Sequence, residues 1–223
     1  MSKYLGPKLK IIKKLGFLPN FTSKIIKRKK TLINYSKKFK IFNNLCTEYK
    51  DNLIKKQKIK YTYGITEKQL FNYYKKIKFQ KGSKNLLLLK KLEMRLDCIL
   101  YRLGFAVTIF NSKQIINHKH ILINNHIVNI PSFLCKKNDL ITINSTTKTK
   151  LLILNNFKKS FNKRQLILNR LKKLKLFKYK FLPFLPPHLL LNKTLFCGKV
   201  TLLFNKNKIL GNTNLTKIFQ YYT

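Results

Sequence analysis

Met94-Arg95-Leu96-Asp97-Cys98-Ile99-Leu100-Tyr101-Arg102-Leu103-Gly104 decides how the rest of this chain is read. Leu89, Leu92, Leu96, Ile99, Leu100 and Leu103 recur at helical spacing and form one apolar stripe. Arg95 and Arg102 stand seven apart on that helix, two turns apart on one side. Gly104 comes where a helix needs a residue that accepts a left-handed backbone. Asn111 is placed to cap a second short helix over 112–117, with Gln114 three residues on. The period then changes to two. Ile121 and Ile123, then Ile127 and Ile130, flank Asn124-Asn125, a tight-turn signal because Asn tolerates positive φ. Pro131 ends the second strand, Lys136-Lys137-Asn138-Asp139 makes a turn, and Leu140, Ile141 and Ile143 make a third strand.

Outward from this segment the chain is dominated by charge. It has 223 residues, with 49 Lys or Arg against 6 Asp or Glu, a formal net charge of +43. Such self-repulsion opposes compaction, and the natural partner is a polyanion: nucleic acid first, an anionic membrane second. The hydrophobic fraction of 44% is enough for a core. No apolar run approaches the ~18–20 residues of a membrane-spanning helix, and no secretory leader is visible. Cys46, Cys98, Cys135 and Cys197 are widely spaced, with no C-x-x-C pair, which excludes the common zinc fingers and predicts reduced thiols.

The six carboxylates are Glu48, Asp51, Glu67, Glu93, Asp97 and Asp139. They are too few for paired-carboxylate hydrolysis or Mg²⁺-dependent phosphotransfer. No phosphate-binding glycine loop occurs. His118, His120 and His126 lie close in sequence, but no cysteine or acid accompanies them at ligand spacing, so no metal is assigned. Three acids, Glu93, Asp97 and Asp139, fall in the central segment. Glu93 and Asp97 share a helix with Arg95 and Arg102 and are positioned to orient those guanidinium groups. An ordinary surface pair would satisfy the same spacing.

Residues 1–45 contain no acid and read as a basic arm with little core of its own, ordering on RNA. Residues 46–90 are helical in pattern, with Thr66 and Gln69 forming a capping box. Tyr61, Tyr63, Tyr73, Tyr74 and Phe79 fit a helical core, and base stacking is the other reading open to them. Residues 145–182 are Lys-rich and partly helical, 183–187 is a rigid Pro-containing piece, and 188–223 reads as short strands or extended tail. Ala occurs once and Arg five times, while Lys, Asn, Ile, Phe, Tyr and Leu abound, which indicates an AT-rich genome.

Residues 94–106 resemble the first helix of the RNA-binding domain named after small-subunit ribosomal protein S4. Gln114-Ile115-Ile116-Asn117-His118-Lys119-His120-Ile121-Leu122-Ile123-Asn124 resembles its second helix and hairpin. Val128-Asn129-Ile130-Pro131-Ser132-Phe133 and Lys137-Asn138-Asp139 resemble the segment after that hairpin. The flanks extend the resemblance. Tyr4-Leu5-Gly6-Pro7-Lys8-Leu9-Lys10-Ile11-Ile12-Lys13-Lys14-Leu15-Gly16, the stretch 56–70, Lys81-Gly82-Ser83 and the final Tyr221-Tyr222 are similar to the plastid-type S4 family. The match starts almost at Met1, which leaves no room for a transit peptide and implies a gene inside the organelle. Asn125 stands where the family usually has Gly, and Ile109 and Ser112-Lys113 replace a more arginine-rich stretch. The cysteine cluster with which some bacterial members hold zinc is missing.

The resemblance implies an α+β fold. A helical domain over 46–90 would be completed by residues from about 186 to 223. An RNA-binding domain of two short helices and a small antiparallel sheet, 91–145, would be inserted in it, with a Lys-rich extension over 146–185 and the basic arm over 1–45. It implies a structural, non-enzymatic protein that binds the 5′ domain of small-subunit rRNA early in assembly and supports translation accuracy near the point where mRNA enters. Its partners would be small-subunit rRNA, neighbouring ribosomal proteins and nearby mRNA, with no membrane, homo-oligomer, cofactor or metal. The RNA-binding residues would be Lys8, Lys10, Lys13, Lys14, Lys58, Lys60, Tyr63, Arg95, Tyr101, Arg102, Lys113, Gln114, Asn117, His118, Lys119, His120, Asn124 and Asn125. The expected location is a plastid ribosome of apicoplast-like type, with a mitochondrion or bacterial cytoplasm as alternatives. Alternative functions are an RNA-modifying enzyme or a general basic nucleic-acid-binding protein.

Overall fold

The computed structural model of the chain describes residues 6–16, 18, 20–22, 47–144, 147–173, 185, 186, 188–192, 196–201, 219, 221 and 222. In chain order these form α1 (Lys8–Leu15), α2 (Thr47–Tyr63), α3 (Glu67–Lys78), α4 (Lys84–Glu93), α5 (Leu96–Leu103), α6 (Ile109–Asn117), β1 (Ile121–Ile123), β2 (His126–Ile127), β3 (Leu140–Ile143), α7 (Thr147–Lys173), β4 (Leu189–Asn192) and β5 (Cys197–Val200). The Lys run at 27–30, Pro183 and Pro187 of the Pro-containing piece, and 202–218 of the tail lie outside the described residues.

Helices α2, α3 and α4 bury Ile59, Tyr63, Ile65, Leu70, Ile77, Leu88, Leu89 and Leu92 in one cluster, joined by Cys98 from α5. The expected capping box starts α3: Thr66 Oγ1 accepts from Gln69 N–H, and the Gln69 side chain accepts from Thr66 N–H. From the far end of the chain, Phe219 and Tyr222 pack on this cluster. Tyr222 donates to Glu67 Oε1 at 2.8 Å, and Lys56 Nζ lies 2.8 Å from the same carboxylate and 3.7 Å from the Tyr221 ring centre.

The described residues of the stretch expected as a basic arm are packed rather than extended. Ile11, Leu15, Leu18 and Phe21 bury together against Ile54, Tyr61 and Phe110. Apolar residues at helical spacing in α1 give it a face that docks, while Lys8, Lys10, Lys13 and Lys14 stay outside.

The helix expected to run through Met94-Arg95 is two helices. Arg95 is extended at φ −70 and ψ 138. The cause is tertiary. Leu96 N–H donates to Phe133 O, Asp97 N–H to Pro131 O and Cys135 N–H to Met94 O, and Arg95 bridges to Leu134. Backbone groups that would have closed the helical turn are taken by a neighbouring strand-like segment. Similarly, α6 starts at Ile109 rather than residue 112, because Thr108 is the N-cap and accepts from Asn111 N–H at 3.2 Å.

The sheet has strand order β2-β1-β3-β5-β4, each neighbouring pair antiparallel. Asn124 and Asn125 sit at φ 48 and φ 68, as the two-residue hairpin turn demands. Strand β2 is only two residues long, and Ile127 and Ile130 are exposed. Strands β4 and β5 join this sheet. That corrects the expectation that the chain from about 186 onward completes the helical domain; among described residues only those from Phe219 on do so. Leu96, Ile99, Leu100 and Leu103 of α5 pack with Ile115, Ile116, Ile121, Ile123, Ile141, Leu189 and Val200 as the second core.

Gly198 is a close approach of sheet and helix: a Cβ there would run into Leu103 Cδ1 and stand 3.0 Å from Cδ2. Gly198→Ala is expected to cost about 1–3 kcal/mol of stability through overpacking, read as a lower urea midpoint at unchanged slope.

Candidate nucleic-acid interface

Two of the three acids of the central segment, Glu93 and Asp97, face inward, while Asp139 accepts from Asn124 and from Lys136 N–H in the surface turn before β3. Glu93, at the end of α4 and fully buried, accepts from Arg102 Nη2 at 2.7 Å and Nε at 3.1 Å, from Tyr63 Oη at 2.7 Å and from Cys98 Sγ at 3.3 Å. Arg95 is 1% exposed. It donates through Nε and Nη2 to Asp97 at 3.0 and 2.7 Å and through Nη1 to Tyr73 Oη at 2.8 Å. Lys113 Nζ adds a contact to Asp97 Oδ2 at 3.7 Å and reaches Gly64 O. Each guanidinium fork is filled by one carboxylate, the strongest neutralising geometry a side chain offers.

Electrostatics follow from this packing. Burial pushes the Glu93 carboxyl upward, but the Arg102 charge and the bonds from Arg102, Tyr63 and Cys98 outweigh it and hold it below its ordinary value. Burial opposes the Arg102 charge, yet Glu93 keeps it well above its ordinary value. Burial and the Glu93 charge push the Tyr63 hydroxyl and the Cys98 thiol up, so both stay protonated donors.

This arrangement corrects four of the expected RNA-binding residues. Arg95, Arg102, Tyr63 and Tyr101 are buried, and both arginines are already neutralised, so none presents a free group to a phosphate. Tyr101 lies under Arg164, whose Nη2 donates to Tyr101 O at 2.6 Å and Arg102 O at 3.1 Å. The sequence placed the acids beside the arginines but gave no sign of which side faced water.

Other expected residues are on the surface. Gln114, Asn117, His118, Lys119 and Asn125 are exposed, and His120 is half-buried. The His118 and His120 rings are nearly parallel, 12° apart with centres 5.7 Å apart. Lys119 takes φ 60 at the end of α6, which throws its side chain clear of the helix. Asn124 serves the hairpin, donating to Asp139 Oδ1 at 3.0 Å and accepting from Leu140 N–H at 2.9 Å. Helix α1 adjoins α6, since Ile109 N–H donates to Asn20 O and Lys8 Nζ lies 4.9 Å from the Phe110 ring centre. The α1 lysines and the exposed end of α6 thus belong to adjoining elements. Lys58 is exposed, whereas Lys60 is half-buried and 3.5 Å from Glu67.

Sequence reasoning missed two internal cations of α7. Lys163 Nζ donates to Thr22 O at 2.6 Å and Val107 O at 3.2 Å, and burial pushes it down to about 8. Its nearness to the face made by Ile153, Phe157, Ser160, Arg164 and Ile167 was the available signal. Exposed Lys136, Lys137, Lys150, Lys158 and Lys159 were also not singled out. Among the described residues no cluster could hold a metal ion, and no helix is long and apolar enough to cross a membrane. With Glu93 and Asp97 inside and Glu67 paired to Lys56, the exposed lysines have few acids to offset them. Such a surface is built for polyanion phosphates.

Glu93→Gln leaves Arg102 charged in a dry site and is expected to cost about 3–5 kcal/mol, measured by chemical denaturation. The sign of the pH dependence comes from a lowered folded pKa. The pair's contribution is present above the unfolded carboxylate value of about 4.3 and is lost as pH falls through the lower folded value. Stability measured from pH 6 down to 3 should fall less steeply in Glu93→Gln than in the natural chain.

Residues 3–93 match the ribosomal protein S4/S9 N-terminal domain, and residues 94–141 match the S4 domain. The junction between the two matches falls at the break between α4 and α5. The chain is 39% identical over 223 residues to small ribosomal subunit protein uS4c of Chlorokybus atmophyticus, covering 100% of this chain and 98% of that one. It is 37% identical over 223 residues to the uS4c protein of Euglena gracilis, again over 100% and 98%. The uS4c protein of Monoclea forsteri is 47% identical over 163 residues, 72% of this chain and 79% of that one. Agreement along the full length, across both domains, places the chain in the uS4 family of small ribosomal subunit proteins.

Proposed function

We propose that this chain is a structural constituent of the small subunit of a plastid ribosome, held there by small-subunit rRNA and neighbouring ribosomal proteins. The observation that carries the reading is the partition of charge: Glu93 and Asp97 are spent on internal arginines, while the lysines of α1 and the polar end of α6 stand outside. Family membership supports a non-enzymatic role and does not favour an RNA-modifying enzyme.

Lys8, Lys10, Lys13, Lys14, Lys58 and Lys119 would neutralise phosphates, and Gln114, Asn117, His118, His120 and Asn125 would hydrogen-bond backbone and 2′-hydroxyl groups. Duplex RNA hides its base edges in a deep major groove, so such a surface reads shape and junction geometry. Arg95 and Arg102 contribute as positioning residues, by fixing α5 beneath that surface. The resemblance to the family supports attachment to the 5′ domain of rRNA early in assembly and a place near the entering mRNA with an effect on accuracy. The AT-biased composition supports a reduced, apicoplast-like plastid.

Binding to a 5′-domain rRNA fragment, compared with shuffled RNA of equal length over a salt series, tests the reading. Preference for the authentic fragment should persist as salt rises. Lys10→Gln and Lys119→Gln should each reduce the salt slope by about one and leave the preference in place. Equal binding to both RNAs, collapsing together with salt, would mean that charge alone is at work.

A further inference from the structure

Phe79 stands apart from every other aromatic residue described. It is 86% exposed, the most exposed large hydrophobic side chain among the described residues, although its spacing in the sequence fitted a helical core. It forms the C-cap of α3, two residues after the fully buried Ile77. Its N–H and that of Gln80 both reach Ile77 O, so the backbone beneath the ring is tied to the core. The ring stands in water on a fixed base, a preorganised arrangement that forfeits hydrophobic stabilisation in the free protein.

The surroundings indicate what covers it. Lys75, Lys76, Lys78, Lys81 and Lys84 lie within five residues of it, and no carboxylate occurs between Glu67 and Glu93. These five lysines are exposed. On α4, burial pushes Lys91 down, and the Lys76 charge adds to it. With Phe79 86% exposed, the loop after it does not cover the ring. Lys78 Nζ is 6.0 Å from the ring centre, at the outer limit of cation–π contact, and does not cap it. A protein pocket accepting this ring would have to bury or neutralise the surrounding lysines. A nucleobase brings its own phosphates.

We infer that Phe79 is a stacking site for an unpaired nucleobase of the RNA partner, with the flanking lysines holding the phosphates on either side. The inference rests on the rRNA-binding reading and adds a contact with a base face to one made of phosphates and shape. Aromatic faces accept any base, so the site anchors a single-stranded or bulged nucleotide without selecting its identity.

The chain contains no tryptophan, so Phe79→Trp places a single reporter at this position. The full-length variant is titrated with the 5′-domain rRNA fragment while binding is followed separately by filter retention. Tryptophan emission is expected to be quenched in step with binding. Phe79→Leu, with its urea midpoint unchanged, is expected to bind about 5- to 150-fold more weakly, a deficit that persists at raised salt because stacking releases no counter-ions. If the fragment binds but emission and the Phe79→Leu affinity do not change, the inference is overturned and the rRNA reading stands. Emission that shifts to the blue with RNA-free small-subunit proteins, and not with RNA, also overturns it by assigning the ring to a protein pocket. If even the natural chain fails to bind the fragment, the rRNA reading itself fails.

Discussion

Two carboxylates buried against two arginines hold the helical unit and the sheet unit in one arrangement. Glu93 comes from α4, Tyr63 from α2, Tyr73 from α3, and Arg102 and Cys98 from α5, with Arg95 and Asp97 at the start of α5. A charge left alone in that interior is far more costly than a paired one. Apolar contacts tolerate a helix sliding by a fraction of a turn, but a bidentate pair at 2.7 Å does not. The four helices are therefore set by the direction of hydrogen bonds as well as by the shape of the core. This joint lies where one domain match gives way to the other.

The same pairs shape the outside. With its acids withdrawn, the surface of α1 and the end of α6 is more cationic than composition alone suggests. Lys163 and Arg164 do the opposite, taking charge inward to bond main-chain oxygens that α7 would otherwise bury unpaired. A lysine count thus overstates the number of phosphate ligands, and the structure separates cations that hold the fold from cations that meet a partner.

What the sequence revealed and what it concealed divide along local and long-range causes. The α3 capping box, the Asn124-Asn125 turn and Gly104 at φ 93 were legible because each is set by residues a few positions apart. So was the apolar stripe of α5. The break at Arg95 was not, because it is made by backbone groups of residues 131–135. Arg95 and Arg102 were expected as RNA ligands from the family resemblance, and helical spacing, which tells which residues share a face and not what that face meets, could not show that they turn inward. The docking of α1 was hidden for the same reason, since its partners Ile54, Tyr61 and Phe110 lie far along the chain. The exposure of Phe79 broke a pattern that made it core.

The docking of α1 also has a consequence in time. Phe21 buries against Phe110, and the Lys163 bond to Thr22 O spans 141 residues. At a synthesis rate of about 5–20 residues per second, that stretch takes roughly 7–28 seconds to make. Thr22 O waits that long for the cation that bonds it, although Ile54, Tyr61 and Phe110, against which α1 packs, are made earlier. Glu67 likewise waits for the Tyr222 hydroxyl, 155 residues further on. Elements made early thus gain a bond from residues made much later.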